Sequence, residues 1–177
     1  ADLGRPKAQA AADWLRRFDP AIEVSTVEAR LDATNAAQHV AGASLVLNGC
    51  DNFATRHAVN AACVRHSKPL VSGSAIQMDG QITVYDPRDA ASPCYACVFP
   101  PSIVPEETRC ATMGVFAPLV GIIGAMQAAE ALKLIAGIGQ PLAGRLLMLD
   151  GRSMEWTQVR MARKVGCAVC GGQPCGL

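Results

Sequence analysis

Eight cysteines are the residues of this 177-residue chain best suited to chemistry, and four of them form two closely spaced pairs. The pairs are Cys94 with Cys97 and Cys167 with Cys170. Two thiolates at this spacing can share one metal ion, and two such pairs supply the four sulfur ligands of a tetrahedral zinc site. Gly166 and Gly171 permit the tight backbone that the second pair needs. The pattern predicts a closed, structural Zn²⁺ site that ties a central loop to the C-terminal segment.

The same four thiols have two other interpretations, namely redox-active pairs or thiols without a ligand. The first twenty residues carry seven charged side chains and no apolar core, so they do not form a signal peptide. We therefore expect a reducing compartment, the cytoplasm. There, paired cysteines indicate metal or redox chemistry rather than a disulfide framework.

Charge and composition exclude two classes of function. The chain has 16 basic and 15 acidic side chains, and aromatic residues make up 5% of it. Neither a basic patch nor a base-stacking surface is expected, so we predict no nucleic-acid partner. The uncharged stretch 111–129 contains Pro118 and Gln127 and then continues into Glu130 and Lys133. A membrane span needs about 20 uninterrupted apolar residues, so we expect a buried core or interface helix instead.

The hydrophobic pattern predicts the elements that must position these residues. Helices are expected at 5–18, 34–40, 53–66 and 117–136, and strands at 22–28, 44–48, 69–74, 81–85, 145–149 and 154–161. Strand, helix and strand over residues 44–74 form a βαβ unit on a parallel sheet. Asp79 and Gly80 predict a hairpin turn before the strand at 81–85. Residues 86–114 show no period and predict a long loop, and Gly137 fits the C-cap of the last helix.

Eight ordered stretches together resemble one family of enzymes. They are 4–7, 50–56 with Asn60, 69–74, 80–84, 94–97, 109–110, 114–124 and 166–172. Their order and spacing resemble the ThiF/MoeB/HesA adenylyltransferases, which are relatives of ubiquitin-activating enzymes, and the resemblance covers nearly the whole chain. It implies an α/β fold with a doubly wound, Rossmann-like, mostly parallel sheet and helices on both faces, completed by a zinc-stapled loop and C-terminal strands.

The resemblance also implies a reaction. In this family the C-terminal glycine carboxylate of a ubiquitin-like sulfur-carrier protein attacks the α-phosphate of ATP, giving an acyl-adenylate and pyrophosphate. Sulfur is then delivered to the activated carboxyl group for thiamine or molybdopterin synthesis. The resemblance further implies a homodimer, and Gly121 and Gly124 would permit close packing of the long apolar helix. Which carrier and pathway the chain serves stays open.

Residue roles follow from the resemblance as well. Lys7 resembles the lysine that contacts the ATP phosphates, and Asp51 the aspartate that holds Mg²⁺ and orients ATP. Asp51 follows a buried strand, where open α/β sheets bind their ligands, and Asn52 and Arg56 adjoin it as further nucleotide-binding candidates. Cys110 resembles the cysteine that carries a thiol-linked or persulfide intermediate in some members, and a neighbouring arginine would lower its pKa.

Each of these residues also has a purely structural interpretation. Lys7 would be a solvated helix lysine, Asp51 would cap the following helix, and Cys110 would be an inert buried thiol. Arg56 would pair with the sheet edge or with Asp51. Asn52 would cap the helix that follows it.

The glycine-rich phosphate loop of the family is not found in these residues. The nearest match, Gly137 and Gly139, follows a helix and lacks the third glycine, so it fails the context that this motif requires. We therefore expect residues 1–177 to be a single domain that forms the C-terminal part of the fold, with the nucleotide-binding βαβ unit upstream. Three rivals remain: a non-catalytic module or incomplete fragment that binds the carrier, a thiol or persulfide relay, and a NAD-dependent enzyme, which shares the fold class only.

Overall fold

The computed structural model describes residues 2–102 and 113–171, which divide into two compact units, Ala1–Leu31 and Asp32–Leu177. The first unit contains helix α1, Lys7–Phe18, which begins after Pro6. Its Arg5 side chain pairs with Asp2 at 2.6 Å and with Asp13. The strand predicted at 22–28 is wrong, because within the described residues the segment joins no ladder. Alternating side chains do not make a strand where no neighbouring strand pairs with them.

The described residues of the second unit form nine elements. They are α2 (Ala36–Ala41), β1 (Val46–Asn48), α3 (Phe53–Arg65), β2 (Leu70–Ile76), β3 (Asp79–Tyr85), α4 (Tyr95–Val98), α5 (Ala117–Ala136), β4 (Arg145–Asp150) and β5 (Glu155–Arg160). The strands form one sheet in the order β1-β2-β3-β4-β5. β1 and β2 pair in parallel on either side of α3, so the predicted βαβ unit is confirmed.

The sheet is mixed rather than mostly parallel. The pairs β2–β3, β3–β4 and β4–β5 are all antiparallel in the described part of the chain. Only Gln77 and Met78 join β2 to β3, and a connection this short reverses the chain, whereas a parallel pair needs a long crossover. The α/β class is confirmed, and the expectation of mainly parallel pairing is corrected for these strands.

The β2–β3 turn also lies two residues earlier than predicted. Gln77 adopts a positive φ of 50°, and the next residue completes the turn. Gly80, which predicted the turn, lies inside β3 instead. A Cβ atom there would be 3.0 Å from Ile123 and 3.1 Å from Leu119 of α5. The glycine therefore permits close packing of the helix on the sheet rather than a reversal of the chain.

Helices cover both faces of the sheet. On one face, Val71, Ile82 and Val84 form a buried cluster with Leu142, against which Met126 of α5 packs. On the opposite face, the ring of Tyr85 meets the ring of Tyr95 from α4 edge-on, with centroids 6.0 Å apart. The helices α3 and α4 therefore lie on the face of the sheet opposite the one that α5 covers.

Helix α5 carries two charged side chains, and both are engaged within the chain. Glu130 is 5% exposed, accepts a hydrogen bond from the N–H of Leu142 at 2.8 Å and pairs with Lys133. Gly137 caps the helix at φ 64°, as predicted. With 20 residues and a mean hydropathy of 1.6, α5 meets the length and composition of a membrane span, a test that core helices also pass.

Candidate nucleotide pocket and cysteine cluster

The four paired cysteines lie together in the structure. Their sulfur atoms are all within 4.8 Å of one another, and the Sγ–Sγ distances are 3.9 Å for Cys94–Cys97, 3.7 Å for Cys94–Cys167 and 3.4 Å for Cys97–Cys170. Zinc–sulfur bonds of ~2.3 Å in a tetrahedron place the sulfurs about 3.8 Å apart. The cluster therefore has the ligand type, number and spacing of a Cys₄ metal site that fits zinc.

Backbone hydrogen bonds shape both cysteine loops. The N–H of Cys97 donates to the carbonyl of Cys94 at 3.0 Å, and the N–H of Gly171 donates to the carbonyl of Cys167 at 2.8 Å. A Cβ atom at Gly171 would lie 2.6 Å from the Cys167 carbonyl oxygen, so the second loop requires glycine there. Arg163 then joins the segments by donating to the carbonyls of Ala90, at 3.1 Å, and Cys170.

The surroundings of the thiols shift the pKa values of Cys94 and Cys167 in opposite directions. Burial raises the pKa of Cys94 to about 11. Burial also acts to raise the pKa of Cys167, but hydrogen bonds from the backbone of Cys170 and Val169 outweigh it and lower that pKa to about 7. The N–H of Lys164 points at the sulfur of Cys97 at 3.4 Å. Backbone donors aimed at sulfur stabilise thiolates, which are the form that binds metal.

A pocket of about 140 Å³ opens beside the carboxyl end of β1. Its lining consists of Asp51, Phe53, Arg56, Ser74, Ala75, Ile76, Gln81, Tyr95 and Phe99. Asp51 is exposed, and no ion pair joins it to a side chain within residues 2–102 and 113–171. An unpaired carboxylate at an open pocket is a suitable ligand for a hard cation such as Mg²⁺.

The turn that carries Asp51 is fixed from several directions. The side-chain oxygen of Asn48 accepts the N–H of Cys50 at 3.0 Å, and the Arg56 guanidinium donates to the Cys50 carbonyl. Asn52 caps α3, as expected, by accepting the N–H of Thr55 at 2.8 Å. Asp51 is thus neither the side-chain cap of this helix nor an ion-pair partner of Arg56, and its carboxylate stays available at the pocket.

Tyr95 links the cysteine cluster to the pocket. It lies between two of the cysteines in sequence, is 3% exposed and also lines the pocket. Its N–H donates to the Oδ1 atom of Asn60 at 2.8 Å, and its ring lies 5.0 Å from that of His57 and 4.9 Å from that of Phe99. The sequence reasoning missed Tyr95 and Phe99. The sequence did hold one signal for Tyr95. When the two cysteines of a pair both point towards a metal, a residue between them must point away from it.

Two further predicted residues, Lys7 and Cys110, are not among the described residues of the second unit. Lys7 is exposed at the first position of α1, in the unit Ala1–Leu31. Cys110 lies outside the described residues. Of the other thiols, Cys63 is 1% exposed, and burial raises its pKa to about 12. Burial also raises the pKa of Cys50. Both therefore stay protonated and unreactive at neutral pH.

Comparison with known proteins gives this arrangement a family. The model of the ThiF family matches residues 1–169. The chain is 42% identical over 172 residues to the molybdopterin-synthase adenylyltransferase of Salmonella typhimurium, covering 97% of this chain and 68% of that enzyme. It is 41% identical over 171 residues to the sulfur carrier protein ThiS adenylyltransferase of Escherichia coli, covering 97% of this chain and 67% of that enzyme.

This chain covers a smaller share of two other similar proteins. The adenylyltransferase and sulfurtransferase MOCS3 of Drosophila grimshawi is 44% identical over 176 residues, which are 98% of this chain and 39% of that protein. The crystal structure of E. coli MccB superposes with a TM-score of 0.80 at 22% identity, covering 98% of this chain and 52% of that one, and shows the shared fold. The named relatives are nucleotidyltransferases, and the chain spans between two fifths and about two thirds of their lengths. Matched by the family model over residues 1–169, the chain belongs to the ThiF family.

Proposed function

We propose that the protein containing this chain is an ATP-dependent adenylyltransferase that activates the C-terminal carboxylate of a ubiquitin-like sulfur-carrier protein as an acyl-adenylate. The observation that carries the proposal is the unpaired Asp51 carboxylate at an open pocket beyond the end of β1. This is where open α/β sheets bind ligands. Relatives that share about two fifths of the residues over nearly the whole chain are adenylyltransferases.

The proposal gives each candidate residue a task. Asp51 would hold Mg²⁺ and orient ATP, and the bound ion would neutralise charge on the phosphate oxygens. Arg56 and Asn52 hold the turn in shape through the Cys50 carbonyl and the α3 cap. Lys7 would contact the phosphates as a point charge, and Cys110 would carry a thiol-linked intermediate. The aromatic pocket wall would keep water from the activated carboxyl group.

We also propose that Cys94, Cys97, Cys167 and Cys170 hold a structural Zn²⁺. A site with four cysteine ligands leaves no open position for substrate or water, so the metal would not take part in the chemistry. Its task would be to hold the Tyr95 loop against the pocket. Four reduced thiols also fit a reducing compartment, and we propose the cytoplasm. One tightly held zinc per chain would make these thiols unavailable for a redox or persulfide relay.

We further propose that the outer face of α5 contacts a second copy of the chain. Val120, Leu132 and Ile135 on this face are 49%, 63% and 69% exposed. Among the described residues, no neighbouring atom lies within 4 Å of a Cβ atom built at Gly121 or Gly124, so another helix could approach closely. An apolar face of this length is normally covered.

The oligomeric state tests the dimer. Light scattering after gel filtration should give a dimer for the wild type and a monomer for Leu132→Glu. A wild-type monomer would overturn the proposal, and binding of that monomer to lipid vesicles would identify a membrane as the occupant instead.

Carrier-dependent exchange of labelled pyrophosphate into ATP tests the enzymatic proposal. The assay uses the longest product of the gene that contains this stretch, with carriers from the thiamine and molybdopterin pathways in separate reactions. Exchange that requires one carrier and disappears in Asp51→Ala is expected, and the responding carrier identifies the pathway. A folded, zinc-loaded protein that gives no exchange with either carrier would overturn the proposal in favour of a non-catalytic carrier-binding module.

A further inference from the structure

One polar side chain on the sheet-facing side of α5 reaches the strand end that precedes Asp51. The Nε2 atom of Gln127 donates to the carbonyl of Asn48 at 3.0 Å and lies 3.4 Å from the carbonyl of Val71. Asn48 is the last residue of β1, and Val71 belongs to β2. Gln127 therefore binds the two parallel strands together from the helix that covers them.

Sheet and helix leave a fitted space for this side chain. A Cβ atom at Gly73 of β2 would lie 2.5 Å from the Cδ atom and 2.6 Å from the Oε1 atom of Gln127. It would also lie 2.8 Å from the Cγ2 atom of Ile123. Real Cβ atoms do not approach other atoms so closely, so only glycine at this position lets Gln127 reach Asn48.

Two further hydrogen bonds fix Cys50, the residue that precedes Asp51. Asn48 is 6% exposed, and while its carbonyl accepts from Gln127, its side-chain oxygen accepts the N–H of Cys50 at 3.0 Å. Fixing a residue by both its backbone and its side chain determines its orientation. The carbonyl of Cys50 is in turn held by Arg56. The turn is thus held by α5 on one side and by α3 on the other.

We propose that Gln127 is a positioning residue for the reaction, acting through Asn48 to set the place of the Asp51 carboxylate. The inference rests on the proposed adenylyltransferase function. Gln127 does not line the pocket, so its effect passes through the backbone of the turn rather than through contact with the nucleotide. Misplacing a reacting or ligating group by about 1 Å can cost on the order of 100-fold in rate.

Hydrogen exchange of the protein without nucleotide or added Mg²⁺ tests the positioning directly. Gln127→Met keeps the length of the side chain and removes the donor. We expect the Cys50 amide to exchange about tenfold faster in this variant, since its acceptor Asn48 is no longer held. The matched control, Met126→Ala, weakens the core at the adjacent position of α5 and leaves the hydrogen bond from Gln127 to Asn48 in place. It should lower the melting temperature and leave Cys50 exchange relative to global unfolding unchanged.

The Mg²⁺ dependence of pyrophosphate exchange supplies the functional readout. For Gln127→Met, the concentration that gives half-maximal rate should rise about tenfold, and for Met126→Ala it should stay at the wild-type value. Unaltered Cys50 exchange in Gln127→Met, or equal acceleration in both variants, overturns the positioning role. If the wild type shows no pyrophosphate exchange, the proposed function fails and hydrogen exchange alone decides whether Gln127 holds the turn.

Discussion

The backbone N–H of Tyr95 donates to the side-chain oxygen of Asn60 at 2.8 Å, and Asn60 is 1% exposed. This bond fastens the loop of the first two cysteines to the middle of α3. The N-terminus of the same helix is capped by Asn52, directly after Asp51. One helix therefore connects the cysteine cluster with the pocket at Asp51.

Loss of the proposed zinc should destabilise the fold. Purified protein should contain one zinc per chain by elemental analysis, and Cys97→Ser should lose it. Since a zinc that joins loops 73 residues apart resembles a cross-link, its loss should cost about 3 kcal/mol and lower the melting temperature by about 10 °C. Cys63→Ser is the control, because Cys63 is buried outside the cluster. Full zinc content in Cys97→Ser would contradict the ligand assignment.

Asn60→Ala should weaken metal binding without removing a ligand. The variant leaves the buried N–H of Tyr95 without an acceptor, which costs about 1–3 kcal/mol. Loss of such a supporting contact typically reduces metal affinity about 10-fold or more. Competition with a chromophoric chelator measures the affinity, and Gln158→Ala on the exposed strand β5 serves as the control. Equal zinc affinity in the two variants would show that the loop is held by other contacts.

Asp51→Asn should lower the activity and leave the stability nearly unchanged. The variant keeps the size of the side chain and removes the charge, so pyrophosphate exchange should fall by about 100- to 1,000-fold if Asp51 holds the metal–nucleotide complex. Because Asp51 is exposed and unpaired in the described structure, the free energy of unfolding should change by less than about 0.5 kcal/mol. Urea denaturation and the exchange assay together check both expectations. Wild-type activity in this variant would remove Asp51 from the reaction.

Gly73→Ala should destabilise the fold because the new methyl group would overlap Gln127 and Ile123. Overpacking of this kind costs about 1–3 kcal/mol. Adding Gln127→Ala in the same chain should recover part of that loss, since it empties the overlapping space, and a double-mutant cycle in urea measures the coupling. Gly42→Ala is the control, because nothing lies within 4 Å of a Cβ atom there and its φ is −81°. Additive losses at positions 73 and 127 would argue against their direct contact.

The buried thiol of Cys63 should make stability fall at alkaline pH. Burial raises its pKa from the ordinary value of 9.0 to about 12 in the folded chain. Between these pH values the unfolded chain loses the proton and the folded chain keeps it, so folding becomes less favourable as pH rises, by about 1.4 kcal/mol at pH 10. The loss of unfolding free energy from pH 7 to pH 10 should therefore be smaller in Cys63→Ala than in the wild type. Identical losses would show that Cys63 does not contribute.

Local sequence signals were sufficient for part of this architecture. The βαβ unit was predictable because a short apolar run, a capped helix and a second apolar run are each encoded in consecutive residues. The same holds for the Asn52 cap and the Gly137 C-cap, whose geometry depends on one side chain and its neighbours in sequence. The cysteine pairs indicated a shared metal because their spacing alone restricts where the sulfurs can point.

Tertiary contacts determined what the sequence left ambiguous. Gly80 indicates a turn when its neighbours are unknown, but in the fold it makes room for α5. The alternation at 22–28 indicates a strand, yet pairing requires a partner that a sequence pattern does not identify. Tyr95 became a pocket residue only through tertiary contacts, namely its hydrogen bond to Asn60 of α3, 35 positions away, and its ring contact with Tyr85 of β3. Each error concerns a residue or segment whose conformation depends on a contact distant in sequence rather than on its neighbours in the chain.

The pairing of Glu130 with Lys133 has a thermodynamic consequence for the rest of α5. Because both charges of the helix are paired within the chain, the helix offers no unpaired charge of its own to a partner. Association through that side should have a negative change in heat capacity and little dependence on ionic strength. A calorimetric dilution experiment at several temperatures and salt concentrations would measure the heat-capacity change and the salt dependence, and these are the values expected of an apolar contact.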